Sequence, residues 1–152
     1  MVKNNMKLIS HRGNVNGKLE SWENEPTYID LAISKGYDVE IDVWYKDNIL
    51  WLGHDEPQYG VDFRWFKDRI PKLWVHCKNI EAMTYFNTNF EMFPFNYFWH
   101  ENDVITLTSL NYIWAFPGKQ PIKNSIAVMP EIFNDDVSSA IGVCSDFIEN
   151  YK

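Results

Sequence analysis

Tyr37-Asp38-Val39-Glu40-Ile41-Asp42-Val43-Trp44 is the stretch on which the fold turns. Its period of two is that of a β-strand. Val39, Ile41 and Val43 take one side and suit packing beneath helices. Glu40 and Asp42 take the other, about 6.5–7 Å apart along the strand. Two inward carboxylates are costly unless protonated, hydrogen-bonded or bound to a cation. An edge strand with a wet polar face explains the alternation equally well.

Outward from this strand the chain reads as short strands, several followed by a short helix. Lys7-Leu8-Ile9-Ser10 leads to His11-Arg12-Gly13. Asn24 or Glu25 caps a helix with Pro26 in its first turn, stopped by Gly36. Asp47-Asn48 turns the chain into Ile49-Leu50-Trp51-Leu52, which ends at Gly53-His54-Asp55. A helix is expected near Val61 to Asp68, and a strand at Lys72 to Lys78. Asn79 is expected to cap another helix. Strands follow at Tyr97–His100, Val104–Leu107, Tyr112–Phe116, Ser125–Met129 and Ile141–Ser145, with a short helix from Asn134 to about Ala140.

Alternating strands and helices imply α/β architecture with mostly parallel strands. His11, Arg12, His54, Lys78, Glu131 and Asp146 all end a proposed strand, where catalytic groups gather in a (β/α) barrel. A full barrel takes about 250 residues, roughly a hundred more than this chain has. The expectation is a reduced (β/α) TIM-type barrel with several helices shortened or missing. An open α/β sheet is the alternative.

Composition narrows the function. The 152 residues fit one domain, and the high aromatic content of 16% argues against disorder. A net charge of −7 disfavours nucleic acid and anionic membrane surfaces. No apolar run reaches membrane-spanning length, and Met1 to Ser10 does not resemble a signal peptide, so a cytoplasmic protein is expected. Cys77 and Cys144 form no metal motif and read as reduced core residues. His11 and His54, each followed by a charged residue, could serve as general acid and base across one pocket.

His11-Arg12-Gly13, Glu23-Asn24, Gly36 to Val43 and His54-Asp55, in this order and spacing, resemble the glycerophosphodiester phosphodiesterase signature. That family belongs to the phospholipase-C-like phosphodiesterases, which are (β/α) barrels. The resemblance thins beyond Pro57. It implies a single phosphodiesterase domain over residues 1–152. It implies that His11 and His54 are the acid/base pair and that Glu40 and Asp42 hold one divalent cation. Arg12 would contact a phosphate oxygen, Glu23 would line the pocket, and Lys78 falls at the family's phosphate-binding lysine.

His76 departs from the pattern, standing where the family has a third carboxylate ligand. Mg²⁺ or Ca²⁺ suits the oxygen ligands, while a histidine favours Mn²⁺ or Zn²⁺. Either His76 ligates the metal, or Glu131 or Glu101 completes the shell. Trp99 and His100 are expected to line the pocket, and Asp146 to cap or bond a neighbouring strand end. Trp44, Trp51, Trp74 and Trp114 read as core or pocket walls. The expected activity is metal-dependent hydrolysis of small phosphodiesters. The alternatives are an inactive phosphate-ligand-binding barrel, and a metal-dependent enzyme acting on a sugar. Trimmed helices would expose apolar flanks and favour a homodimer.

Overall fold

A computed structural model describes residues 5–91 and 94–152. Residues 1–4, part of the amino-terminal stretch read above, lie outside the described residues. The strands are β1 (Lys7–His11), β2 (Asp38–Lys46), β3 (Ile49–Leu52), β4 (Tyr59–Val61), β5 (Leu73–Cys77), β6 (Asn96–Trp99), β7 (Ile105–Leu107), β8 (Ile113–Ala115), β9 (Ser125–Val128) and β10 (Gly142–Ser145). The helices are α1 (Pro26–Ser34), α2 (Phe63–Lys67) and α3 (Ile80–Asn89). No helix among the described residues is long and apolar enough to cross a membrane.

All the strands join one sheet. Parallel pairing runs β8-β9-β10-β1-β2-β5-β6, while β2-β3, β3-β4 and β7-β8 are antiparallel. The long β2 serves three neighbours. Asp38–Glu40 pair with β1, Val39–Val43 with β5, and Val43–Lys46 with β3. The result is a mixed sheet curled into a half-barrel, with three short α-helices among the described residues.

This overturns the reduced TIM-type barrel. Asp47 and Asn48 both adopt left-handed backbone (φ 53° and 62°), which makes the tight turn of a hairpin. That turn sends β3 back beside β2, where a barrel needs a crossover helix. The connections after β6, β7, β8 and β9 carry no α-helix. The helix expected from Asn134 is absent, and a single 3₁₀ turn at Pro130–Ile132 precedes it. Ser and Thr side chains link the strands at the open side of the curl. Ser109 accepts from the Tyr97 N–H and donates to the Phe95 carbonyl, and Thr106 donates to the Trp99 carbonyl.

Capping explains the three helices. Glu25 accepts from the Tyr28 N–H, Asp62 from Trp65, and Asn79 from Ala82. Asn79 also exchanges two hydrogen bonds with the Tyr45 backbone, tying α3 to β2. Val39, Ile41 and Val43 pack in the convex-side core with residues of α1 and α3, including Ile29 and Phe86. The concave side holds a second core of Ile9, Trp74, Phe98, Trp114, Ile126, Val128 and Cys144. Both cysteines are buried and free.

The β3 hairpin sets the position of His54. The Gly53 N–H donates to the Asp42 carbonyl, and the Trp44 indole donates to the Gly53 carbonyl. Gly53 has φ +152°, and a Cβ there would collide with the Glu56 carbonyl oxygen. Gly53→Ala is therefore expected to cost about 1–3 kcal/mol. The check is thermal unfolding beside Gly60→Ala, whose Cβ would meet Trp51 only at ordinary contact distance. Equal stability of the two variants would contradict this account of the turn.

Candidate functional site

Strand register places Asp42 beside His76 and Glu40 beside Trp74 on the concave face. Asp42 is fully buried. Its Oδ2 accepts from Asn24 Nδ2 at 2.9 Å and lies 3.0 Å from Arg12 Nε. Its own N–H donates to Asn24 Oδ1. Its Oδ1 lies 3.2 Å from His76 Nδ1. Nε2 of His76 lies 3.0 Å from the His100 carbonyl, which can only accept. Nε2 therefore carries the hydrogen, and a neutral His76 turns the lone pair of Nδ1 towards a carboxylate oxygen. A shared proton or a cation would resolve that opposition.

Glu40 sharpens the point. Its Oε2 is buried without a hydrogen-bond partner. Glu40, Asp42 and His76 each offer a ligand atom, all within 4.8 Å of one another. A histidine that donates its other N–H to a carbonyl is the usual arrangement at metal centres. The three residues thus fit a divalent cation. His11, Glu23 and Asp146 are as closely spaced. There the Asn14 amide donates to Glu23 Oε2 (2.6 Å) and Asp146 Oδ1 (2.8 Å). A neutral donor already sits between these two carboxylates.

Electrostatics separate the carboxylate pair. Burial, and then the charge of Asp42, push the Glu40 carboxyl up from its ordinary 4.5 to about 7. Burial acts on Asp42 in the same direction. The Arg12 charge and the Asn24 hydrogen bond oppose it, joined by His76 when a proton is shared between Nδ1 and Oδ1, and they hold Asp42 below the usual carboxylate range. Asp42 is the fixed anion, and Glu40 holds the exchangeable proton.

His11 ends β1 with Nδ1 2.7 Å from Asp146 Oδ1 and Nε2 3.7 Å from Glu40 Oε2. Burial lowers its pKa, but the Asp146 bond and the Glu40 charge raise it further, leaving it above the ordinary value. His54 has the same kind of orientation, with Nδ1 2.6 Å from Asp55 and the ring partly exposed. Arg12 pairs with Glu23 as well as Asp42. Lys78, just past β5, has no carboxylate partner among the described residues.

A cavity of about 470 Å³ collects His11, Arg12, Glu40, His54, His76 and Lys78 at the carboxyl ends of the parallel strands. Trp44, Phe98, Trp99, His100, Trp114 and Phe116 supply aromatic walls. Trp74 lies in the core below, while Trp51 stands outside the cavity on β3. Glu23 sits behind Arg12, borders an adjoining cleft and does not line the main cavity. Glu131 is not brought to the metal-type cluster. It is exposed and accepts from Ser145 and Tyr151. Cys144 belongs to the concave core, so strand alternation turns Ser145, and Glu131 with it, to the convex side.

Asn14 was not singled out from sequence, and it joins Asp146 to Glu23. Asn24, read there only as a cap candidate and part of the Glu23-Asn24 pair, clamps Asp42. Asp146, expected to bond a neighbouring strand end, orients His11 of β1. Asn24 carries a local signal, since it adopts φ +65° next to a helix cap. Asn14 and Asp146 meet across 132 positions, which spacing alone cannot reveal. Comparison with protein-family models, curated proteins and solved structures gave no match. The site is therefore read from its own chemistry.

The raised Glu40 carboxyl gives a pH signature. The folded chain binds this proton more tightly than the unfolded chain. Its stabilisation is complete below about pH 4.5 and is lost as pH rises through about 7. The loss is on the order of 3 kcal/mol. In EDTA, the melting temperature should fall between about pH 5 and 8. Glu40→Gln should flatten that fall, and a bound divalent cation should reverse it. A wild-type profile parallel to that of Glu40→Gln would refute the assignment.

Proposed function

We propose that this chain is a divalent-cation-dependent hydrolase of small phosphodiesters, with glycerophosphodiesters as the first substrates to test. One observation carries the reading. Two carboxylate-oriented histidines, a lysine without a carboxylate partner among the described residues, and Glu40 and His76, with the buried Asp42 against them, meet at a single cavity. The order of His11-Arg12-Gly13, Glu23-Asn24, Glu40, Asp42 and His54-Asp55 along the chain supports the same class.

A cation bound by Glu40, Asp42 and His76 would supply Lewis-acid charge beside a substrate oxygen. Lys78 and the cavity edge of Arg12 add positive charge for the non-bridging oxygens. His11 and His54 each hold Nδ1 against a carboxylate, which leaves Nε2 for proton transfer. One takes the proton of the attacking hydroxyl as its oxygen bonds to phosphorus. The other protonates the departing alkoxide as the second P–O bond breaks. The imidazole ligand shifts the expected metal preference towards Mn²⁺ relative to an all-oxygen site, with Mg²⁺ and Ca²⁺ the other candidates.

Hydrolysis of a glycerophosphodiester panel with Mg²⁺, Ca²⁺, Mn²⁺ or EDTA tests the reading. Turnover should require a cation. His11→Ala and His54→Ala should each lower kcat by about 10²–10⁴-fold, with the fold intact by circular dichroism. Phosphate-ligand binding without turnover under every metal would make the chain a binding protein. Turnover of a non-phosphorylated sugar, insensitive to Arg12→Ala, would overturn the phosphodiester assignment.

A further inference from the structure

The main cavity does not stand alone. A second cleft, of about 340 Å³, shares Arg12, His54 and Asp55 with it. The two spaces differ in their walls: the main cavity joins charged groups to Trp and Phe rings, and the second cleft has no such ring. Beyond the shared residues, the second cleft is bordered by Lys18, Glu20, Glu23, Asn24, Glu56 and Gln58, none of them apolar. The main cavity is walled by Trp44, Phe98, Trp99, Trp114 and Phe116. Phe98 and Trp114 pack with ring centroids 4.8 Å apart, and His76 stacks on Phe98 at 5.2 Å. Phe98 and Trp114 belong to the buried concave core, and the partly exposed rings of the wall are Trp44, Trp99 and Phe116.

A phosphodiester has two arms on one phosphorus. With the phosphate beside Arg12 and His54, one arm falls into each space. We propose that the substrate is an unsymmetrical diester, with an apolar arm in the aromatic cavity and a neutral polyhydroxylated arm in the polar cleft. This inference rests on the phosphodiester reading above. The cleft alternates acceptors (Glu20, Glu56) with donors (Lys18, the Gln58 amide), which suits hydroxyl groups that both donate and accept. Its carboxylates outnumber its cations, so a second anionic group is disfavoured. The main cavity is much larger than a three-carbon polyol needs, and lies in the size range of drug-sized ligand sites. A planar ring and a hydrocarbon chain share the apolar chemistry of the first arm.

Monoester binding separates the two subsites. Phenyl phosphate, hexyl phosphate and glycerol 3-phosphate would be titrated by calorimetry, with Mn²⁺ present, into the wild type, Trp99→Ala and Gln58→Ala. Trp99→Ala should weaken the apolar monoesters about tenfold and leave glycerol 3-phosphate within about twofold. Gln58→Ala should weaken glycerol 3-phosphate about fivefold and leave the apolar pair unchanged. A larger effect on phenyl than on hexyl phosphate identifies a ring, and the reverse a chain. Parallel losses for all three ligands in either variant, or no loss in both, would overturn the two-arm assignment. If no monoester binds, the phosphodiester reading fails separately. The subsites are then judged without phosphate, by NMR titration of benzyl alcohol and glycerol. Benzyl alcohol shifting the Trp99 indole N–H, with glycerol shifting the Gln58 amide, upholds them. Any other pattern rejects them.

Discussion

A carboxylate with no route to water governs the concave end of this sheet. Asp42 must be compensated from inside, because burying an unpaired charge would cost several kcal/mol. Arg12 and Asn24, both from the loop after β1, provide that compensation, and His76 of β5 completes it through the shared proton or cation at Nδ1. Arg12 and Asn24 adopt left-handed backbone to do so, at φ 58° and 65°. The chain between them is closed by hydrogen bonds from the Arg12 N–H to the Glu40 carbonyl and from the Asn24 N–H to the Arg12 carbonyl. The loop after β1 is thus shaped by the need to deliver a guanidinium and an amide to one buried anion.

That demand organises the surrounding chemistry. Once Asp42 is committed as an anion, Glu40 cannot ionise cheaply beside it. The pair therefore behaves as a place for one proton or one cation. Arg12 extends the network to Glu23, Asn14 extends it to Asp146, and Asp146 ends it on His11. The metal-type group and the first histidine are two ends of one polar chain. Beneath it, the Trp74, Phe98 and Trp114 rings close the concave interior with aromatic contacts, each pair contributing about 0.5–1.5 kcal/mol beyond simple burial.

Much of this was legible in the residues. The alternation around Val39, Ile41 and Val43 marks β2 and its packed outer face, but leaves its carboxylates either inward or on a wet edge. The cap at Asn79 is written in residue type, and that of α1 narrows to Asn24 or Glu25, of which Glu25 caps. The architecture was less legible, because strand order and direction depend on what covers each face. Asp47-Asn48 signals a turn, but that the turn sends the chain back beside β2 depends on both residues taking left-handed backbone. The absence of helices after β6 to β8 shows only as connections without helical periodicity, and after β9 the residues from Asn134 read as a helix that the structure does not form. In the site, local neighbours such as Arg12 and His54 could be proposed from pattern. Contacts made across the sheet, such as Asn14 with Asp146, had no local trace. Glu131 misled because a strand-end position does not say which face a side chain takes.

The bond between His11 and Asp146 joins positions 135 apart. During synthesis, β1 emerges early and must wait for β10 before either can complete its pairing. Until Asp146 has been added and β10 has docked beside β1, His11 has no carboxylate to fix its ring. A growing chain can therefore form the β2–β3 hairpin and its helices while the His11 ring is still unheld. A copy clipped before Asp146 would keep Glu40, Asp42 and His76 together but would lack the carboxylate that orients His11.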